Sequence, residues 1–230
     1  LMNVQIDTEL FRRGRSVIAQ DHIVFTLEGV IYSTSLQGEL LWAQLLDRVP
    51  KIADQHLYNN IIPTTPLVAG NMILLCVEGS ASLVCLDRMT GNLLWKYQHP
   101  GLQKMVGVFD EQIILVCQSG IQSLQLKDGA TRWFHPVSVN PQSVLIHNDH
   151  VLALTLDKPQ TTAHLSMESE RGILWIHPQT GNVEHHFSLQ EENKLFFDAE
   201  QIFTFADQVV VVSNVDINAR TFKLLGLPVK

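Results

Sequence analysis

A chain of 230 residues, 46% of them hydrophobic and 17% charged, is long enough for one cooperative core and suits a single all-β domain. A net charge of −7 with a pI near 5.8 argues against a nucleic-acid-binding face. The apolar run Val209–Val212 is strand-sized, far short of the roughly 20 residues that cross a bilayer as a helix, so no membrane-spanning segment is expected, and no charged, apolar and cleavage-site sequence of a secretory signal is present.

In chain order, Asn3–Leu10 alternates apolar and polar residues, as a half-buried strand does. The basic run Arg12, Arg13 and Arg15 reads as a solvated turn. The first repeat, about residues 16–50, opens with the turn Ala19-Gln-Asp21. It continues through the strand-like run His22–Gly29 and the strand Val30–Ser35 to Gly38-Glu-Leu-Leu-Trp42. The second, about 62–100, has the turn Ala69-Gly-Asn71, the strand-like run Met72–Gly79 and the strand Leu83–Asp87, then Gly91-Asn-Leu-Leu-Trp95. The third, about 104–137, runs Phe109-Asp-Glu111, Ile113–Gly120, Ile121–Leu126 and Gly129-Ala-Thr-Arg-Trp133. In the fourth, about 142–189, His147-Asn-Asp149 precedes Val151–Asp157 and Gly172–Ile176. Its last element, Gly181-Asn-Val-Glu-His185, has lost the tryptophan. The fifth, about 195–230, offers the strands Gln201–Ala206, Gln208–Ser213 and Ala219–Leu225, one short of four. Either residues 1–11 supply the missing outer strand and close a five-bladed ring, or the repeats are one segment of a larger ring; both readings stay open.

Aligned on Thr26, Cys76, Cys117, Thr155 and Ser213, the repeats are spaced by 50, 41, 38 and 58 residues, the period of four-stranded propeller blades. The expected fold is therefore all-β, a WD40-like β-propeller of about five four-stranded blades in one domain. The glycine four residues before each tryptophan is expected at positive φ, and the indole is expected to bury its apolar surface between neighbouring blades, its N–H taking one partner. The small residues of the aligned column read as packing positions. A hairpin centred between Ser80 and Ala81 would set Cys85 opposite Cys76, so a disulfide there stays open beside that packing reading.

The element Leu83-Val-Cys-Leu-Asp-Arg-Met-Thr-Gly-Asn-Leu-Leu-Trp95 resembles the repeat of pyrroloquinoline-quinone-type propellers, in which Asp-x-x-Thr-Gly-x-x-x-Trp docks one blade onto the next. Ile173–Asn182 and Ile121–Trp133 are similar, and the resemblance covers about residues 16–187. It implies a propeller, and either a quinone-dependent dehydrogenase or a non-catalytic relative such as an outer-membrane assembly lipoprotein or a sensor domain. The dehydrogenases of the family set two adjacent cysteines over the quinone and use about eight blades. Here the cysteines stand apart at 76, 85 and 117, so the resemblance implies the fold without the cofactor. No enzyme activity, cofactor or metal is expected.

His185 and His186 are strand neighbours and point to opposite faces, which does not suit a shared ion. His147 and His150 bracket a turn with no acidic partner nearby in sequence. Recognition is assigned instead to the two connections longer than a blade needs, Asp47–Asn60 and Asp157–Glu170, since loops on rigid scaffolds commonly carry it. The candidate partner-binding residues are Lys51, His56, Tyr58 and Asn59 in the first, with His164 and Glu168 in the second. The leading functional expectation is a scaffold that binds a protein partner. The alternatives are a small-molecule-sensing domain with its ligand in the channel, and a quinone-dehydrogenase fragment. Unpaired buried cysteines imply a reducing cytoplasm, whereas the resemblance implies the periplasm or an extracytoplasmic sensor; both remain open.

Overall fold

Short runs of β-branched and apolar residues, punctuated by Gly, Asn and Asp, leave little choice but antiparallel hairpins. The structure, a computed structural model, describes residues 15–27, 29–46, 65–77, 80–155, 172–189, 199–205, 208–216 and 221–228. Among them are nineteen strands in five antiparallel sheets, each ordered as its strands follow in the chain. The first sheet is β1 (Arg15–Ala19), β2 (His22–Leu27), β3 (Val30–Ser35) and β4 (Leu40–Leu45). The second is β5 (Leu67–Ala69), β6 (Met72–Val77), β7 (Ser82–Asp87) and β8 (Leu93–Gln98). The third contains β9 (Leu102–Phe109), β10 (Gln112–Cys117), β11 (Gly120–Gln125) and β12 (Thr131–Pro136). The fourth contains β13 (Val139–His147), β14 (His150–Thr155), β15 (Gly172–Ile176) and β16 (Val183–Ser188). The fifth has three strands, β17 (Ala199–Phe205), β18 (Gln208–Asp216) and β19 (Thr221–Pro228). The candidate closing strand, residues 1–11, lies outside the described residues.

The chain divides into two compact units, residues 1–105 and 106–230. In the first, one side of the first sheet packs on the second sheet. Val24, Ile31 and Trp42 meet Ile73, Leu75, Val84 and Leu86 there. In the second unit the fourth sheet is covered on both sides. Ala153, Leu174 and Ile176 pack against Ile114, Val116 and Trp133 of the third sheet, and Leu152, Leu154 and Trp175 pack against Ile202, Val209 and Val211 of the fifth.

Two local devices recur. The first hairpin of each of four sheets turns through a left-handed residue: Gln20 (φ 56°), Gly70 (59°), Asp110 (51°) and Asn148 (48°). The third and fourth strands of each complete sheet slip by one residue, so that Leu41, Leu94, Arg132 and Glu184 stand as bulges just before Trp42, Trp95, Trp133 and His185. Such a bulge re-aims the next side chain and here sets the tryptophan column on one side.

Register decides against the disulfide left open between Cys76 and Cys85 and agrees with the packing reading. Cys76 lies opposite Leu83 and Cys85 opposite Leu74, two positions away from facing each other, and all three cysteines are buried. The hairpin centre is displaced because Ala81 turns at φ 46°, which allows a longer loop after Val77. Burial without a charged neighbour pushes the Cys85 thiol to about 12 and the Cys117 thiol to about 11, the mark of packing residues rather than nucleophiles.

Candidate interaction surface

The seams between sheets within each unit share one chemistry. In the second sheet, the Asp87 carboxylate accepts the backbone N–H groups of Met89 (3.0 Å) and Thr90 (2.8 Å) and the Thr90 hydroxyl (3.0 Å), and its other oxygen accepts Asn71 Nδ2 (2.8 Å). The Thr90 amide above all holds this carboxyl below its ordinary range, because each donor favours the charged form. The turn so fixed ends at Gly91, φ 72°. Trp42 of the first sheet lies on it: its Nε1–H donates to the Arg88 carbonyl at 2.9 Å. A β-carbon at Gly91 would stand 2.5 Å from Trp42 Cε3. Arg88 Nη1 also donates to Gln20 Oε1 of the first sheet's left-handed turn, at 2.8 Å.

The second unit repeats this arrangement. Trp133 of the third sheet donates from Nε1 to the Pro178 carbonyl at 2.7 Å, and a β-carbon at Gly181 (φ 74°) would lie 2.7 Å from Trp133 Cδ2. Gln179 Nε2 donates to Asp110 Oδ2 at 3.0 Å, as Arg88 does to Gln20. His177 replaces the aspartate, its Nδ1 accepting from the Gln179 amide at 3.2 Å. Each glycine therefore does two things: it turns the chain and, lacking a β-carbon, seats the indole of the preceding sheet.

The first sheet closes with a related turn one residue shorter, and among the described residues nothing lies on it. Ser35 N–H donates to the Glu39 carbonyl at 2.8 Å and Gly38 N–H to the Ser35 carbonyl at 3.0 Å, where in the second sheet Asp87 N–H reaches Asn92 and Gly91 N–H reaches Asp87, each one residue further. Gly38 has φ 88°, and among the described residues no atom lies within 4 Å of the place a β-carbon would take. Register puts Ile18, Ile23, Phe25, Tyr32, Leu40 and Leu45 on the side of the sheet away from Trp42. None of these is buried. Ile18 is 70% exposed, Leu40 63% and Leu45 69%, while Phe25 and Tyr32 stack at 5.1 Å between them. The matching side of the fourth sheet, with Val144, Val151, Ala153 and Ile176, is buried. The outer strand β4 also carries no ionisable side chain, whereas β8 has Lys96, β12 has Arg132 and β16 has Glu184.

The six residues assigned from sequence to partner binding, Lys51, His56, Tyr58, Asn59, His164 and Glu168, lie outside the described residues. The histidines are placed. His147 and His150 face each other across the β13–β14 hairpin, and His150 Nε2 lies 2.7 Å from Glu184 Oε2. That partner comes from the bulge 34 residues further on, so local spacing could not reveal it. His185 takes the tryptophan column and is exposed, while His186 lies against Gly172. Among the described residues no three His, Cys, Asp or Glu side chains are grouped to hold a metal ion. No helix among them is long and apolar enough to cross a membrane.

A family model described as outer membrane protein assembly factor BamB matches residues 5–214. No curated protein matches the chain in sequence. Among solved structures, BamB from Moraxella catarrhalis is similar over 90% of this chain and 56% of its own, with a TM-score of 0.58 and 15% identity. Quinohemoprotein alcohol dehydrogenase from Comamonas testosteroni is similar over 91% of this chain and 43% of its own (TM-score 0.57, 12% identity). A europium-containing methanol dehydrogenase is similar over 91% and 51% (TM-score 0.57, 10% identity). At these identities the likeness establishes the fold, a β-propeller of quinoprotein-type repeats, and the chain spans about half the length of these relatives.

Proposed function

The chain belongs to the family of the outer membrane protein assembly factor BamB, and from that membership we propose that it is a non-catalytic propeller module that holds a protein partner. The observation that carries this reading is the unburied apolar side of the first sheet, with Ile18, Leu40 and Leu45 each more than 60% exposed. Water-facing aliphatic side chains gathered on one sheet mark a surface that another macromolecule covers. Its apolar, uncharged character suits a protein better than a nucleic acid or a polar metabolite. The non-catalytic part is supported by cysteine chemistry: the thiols at 76, 85 and 117 are apart in sequence and buried, and those of Cys85 and Cys117 are held protonated.

Affinity capture from source-cell lysate tests the first part. The native chain is compared with a Leu40→Glu/Leu45→Glu variant and with one lacking residues 158–170. A protein retained by the native chain and lost from either variant supports the module; equal recovery from all three removes both surfaces from consideration. The second part is tested by adding pyrroloquinoline quinone with Ca²⁺ and assaying dye-linked alcohol oxidation, where any turnover overturns it.

A further inference from the structure

We propose that the tip of the β13–β14 hairpin binds one divalent transition-metal ion of the zinc class. Nε2 of His147 and Nδ1 of His150 are its ligands, and Glu184 is the positioning residue behind His150. The inference is independent of the interaction-module reading.

The two-residue turn Asn148-Asp149, with Asn148 at φ 48°, sets His147 and His150 directly opposite each other. Both imidazoles therefore leave the same side of the sheet, from β-carbons about 5 Å apart. That separation suits two nitrogens that each approach a shared ion to about 2 Å. The matching hairpins hold no such pair: the opposed residues are Ala19 and His22 in the first sheet, Ala69 and Met72 in the second, and Phe205 and Gln208 in the fifth. The repeat itself thus has no need of imidazoles at these two positions.

The state of the nitrogens favours a ligand. His150 Nε2 lies 2.7 Å from Glu184 Oε2. An ionised carboxylate only accepts, so Nε2 carries the proton of the neutral ring and Nδ1 keeps its lone pair. That Nδ1 is buried without a hydrogen-bond partner among the described residues, and so is Nε2 of His147. One such orphaned atom is unfavourable, and here two stand on facing side chains. A carboxylate on one imidazole nitrogen with a lone pair on the other is how proteins orient a metal-binding histidine and raise its basicity. Local spacing offered His147 and His150 no acidic partner; the β16 bulge supplies one.

The His150 side chain is 21% exposed, which leaves the ion a path from solvent. No third His, Cys, Asp or Glu joins the pair among the described residues, so water completes the coordination and the ion exchanges freely. Imidazole ligands select zinc, copper or nickel over magnesium and calcium. Bound there, the ion would tie β13 to β14 and, through Glu184, both to the outer strand β16.

The test titrates Zn²⁺ into the full chain, stripped of metal and freed of chelator, by calorimetry near neutral pH. Saturation at one ion per chain is expected, with no heat from Mg²⁺. His147→Gln and His150→Gln should each abolish it, and Glu184→Gln should weaken it about tenfold or more. His185→Gln, an exposed neighbour, should leave it unchanged. Nitrogen NMR of the native chain should find Zn²⁺ on Nε2 of His147 and Nδ1 of His150. Absence of saturable binding overturns the proposal, as does binding that survives either ligand substitution, ignores Glu184→Gln, or shifts other imidazoles only. Should the His150 variant unfold, His147→Gln decides alone, because its Nε2 has no hydrogen bond to lose.

Discussion

A single hydrogen atom in place of a methyl group decides how neighbouring sheets meet. Gly91 and Gly181 have both a left-handed backbone and an indole pressed against the α-carbon, whereas Gly38 has only the first. Gly91→Ala should therefore cost about 3 kcal/mol, the sum of left-handed strain and overpacking. Gly38→Ala should cost about 1 kcal/mol, from the backbone alone. Urea unfolding of the two variants measures the difference, and equal values would mean that the indole seat contributes nothing. The buried thiols add a pH dependence. Burial raises the Cys85 and Cys117 pKa values above those of the unfolded chain, so the native state keeps its protons after the unfolded state has lost them. The stability is whole below about pH 9 and declines towards pH 11–12, by about 1.4 kcal/mol per pH unit for each thiol while it lasts. Cys85→Ala should flatten that decline in denaturation curves taken at pH 8 and 10.

At the scale of the element, the repeated unit is a sheet whose outer strand is kinked by one residue. Because side chains alternate along a strand, the bulge before each tryptophan column determines which side the indole faces. Deleting Leu94 should turn Trp95 to the wrong side and abolish cooperative folding. Leu94→Lys, at a half-exposed bulge position, should change stability by no more than about 0.5 kcal/mol. Circular dichroism melts of the two variants decide the point; a folded deletion variant would show that register is set elsewhere. The repeat itself was legible in sequence: Gly172–Ile176 coincides with the run read there, and the strands His22–Leu27 and Met72–Val77 lie within the runs His22–Gly29 and Met72–Gly79. The bulges were not, because a slipped residue such as Leu41 or Leu94 is chemically no different from its neighbours. The same slip aims Glu184 at His150, a contact between residues 34 apart that no local pattern contains.

For the whole molecule, the informative feature is an imbalance between two sides of one sheet. Leu40, Leu45 and Ile18 contribute nothing to the core, so Leu40→Glu/Leu45→Glu should leave the melting temperature within a few degrees while reducing concentration-dependent light scattering. A large loss of stability would show instead that these side chains are covered. The loop residues favoured from sequence lie outside the described residues, and the surface now assigned to partner binding is on strands. Sequence reading passed over it because Leu40-Leu-Trp42 matches the core-facing pattern of the other repeats.

Composition, the recurrence of β-branched runs and the Gly-x-x-x-Trp spacing together determined an all-β repeat chain, since strands, turns and their period depend on local chemistry. They also foretold the left-handed glycines and the partner each indole N–H would need. Which residue supplies that partner, that Cys76 and Cys85 do not face each other, and that Gly91 seats an indole while Gly38 meets no other described residue were decided only in the tertiary structure. The physical reason is that identical turn motifs acquire different roles from whatever packs on them, and packing between sheets joins residues some 45 positions apart, as Trp42 with Arg88 and Trp133 with Pro178.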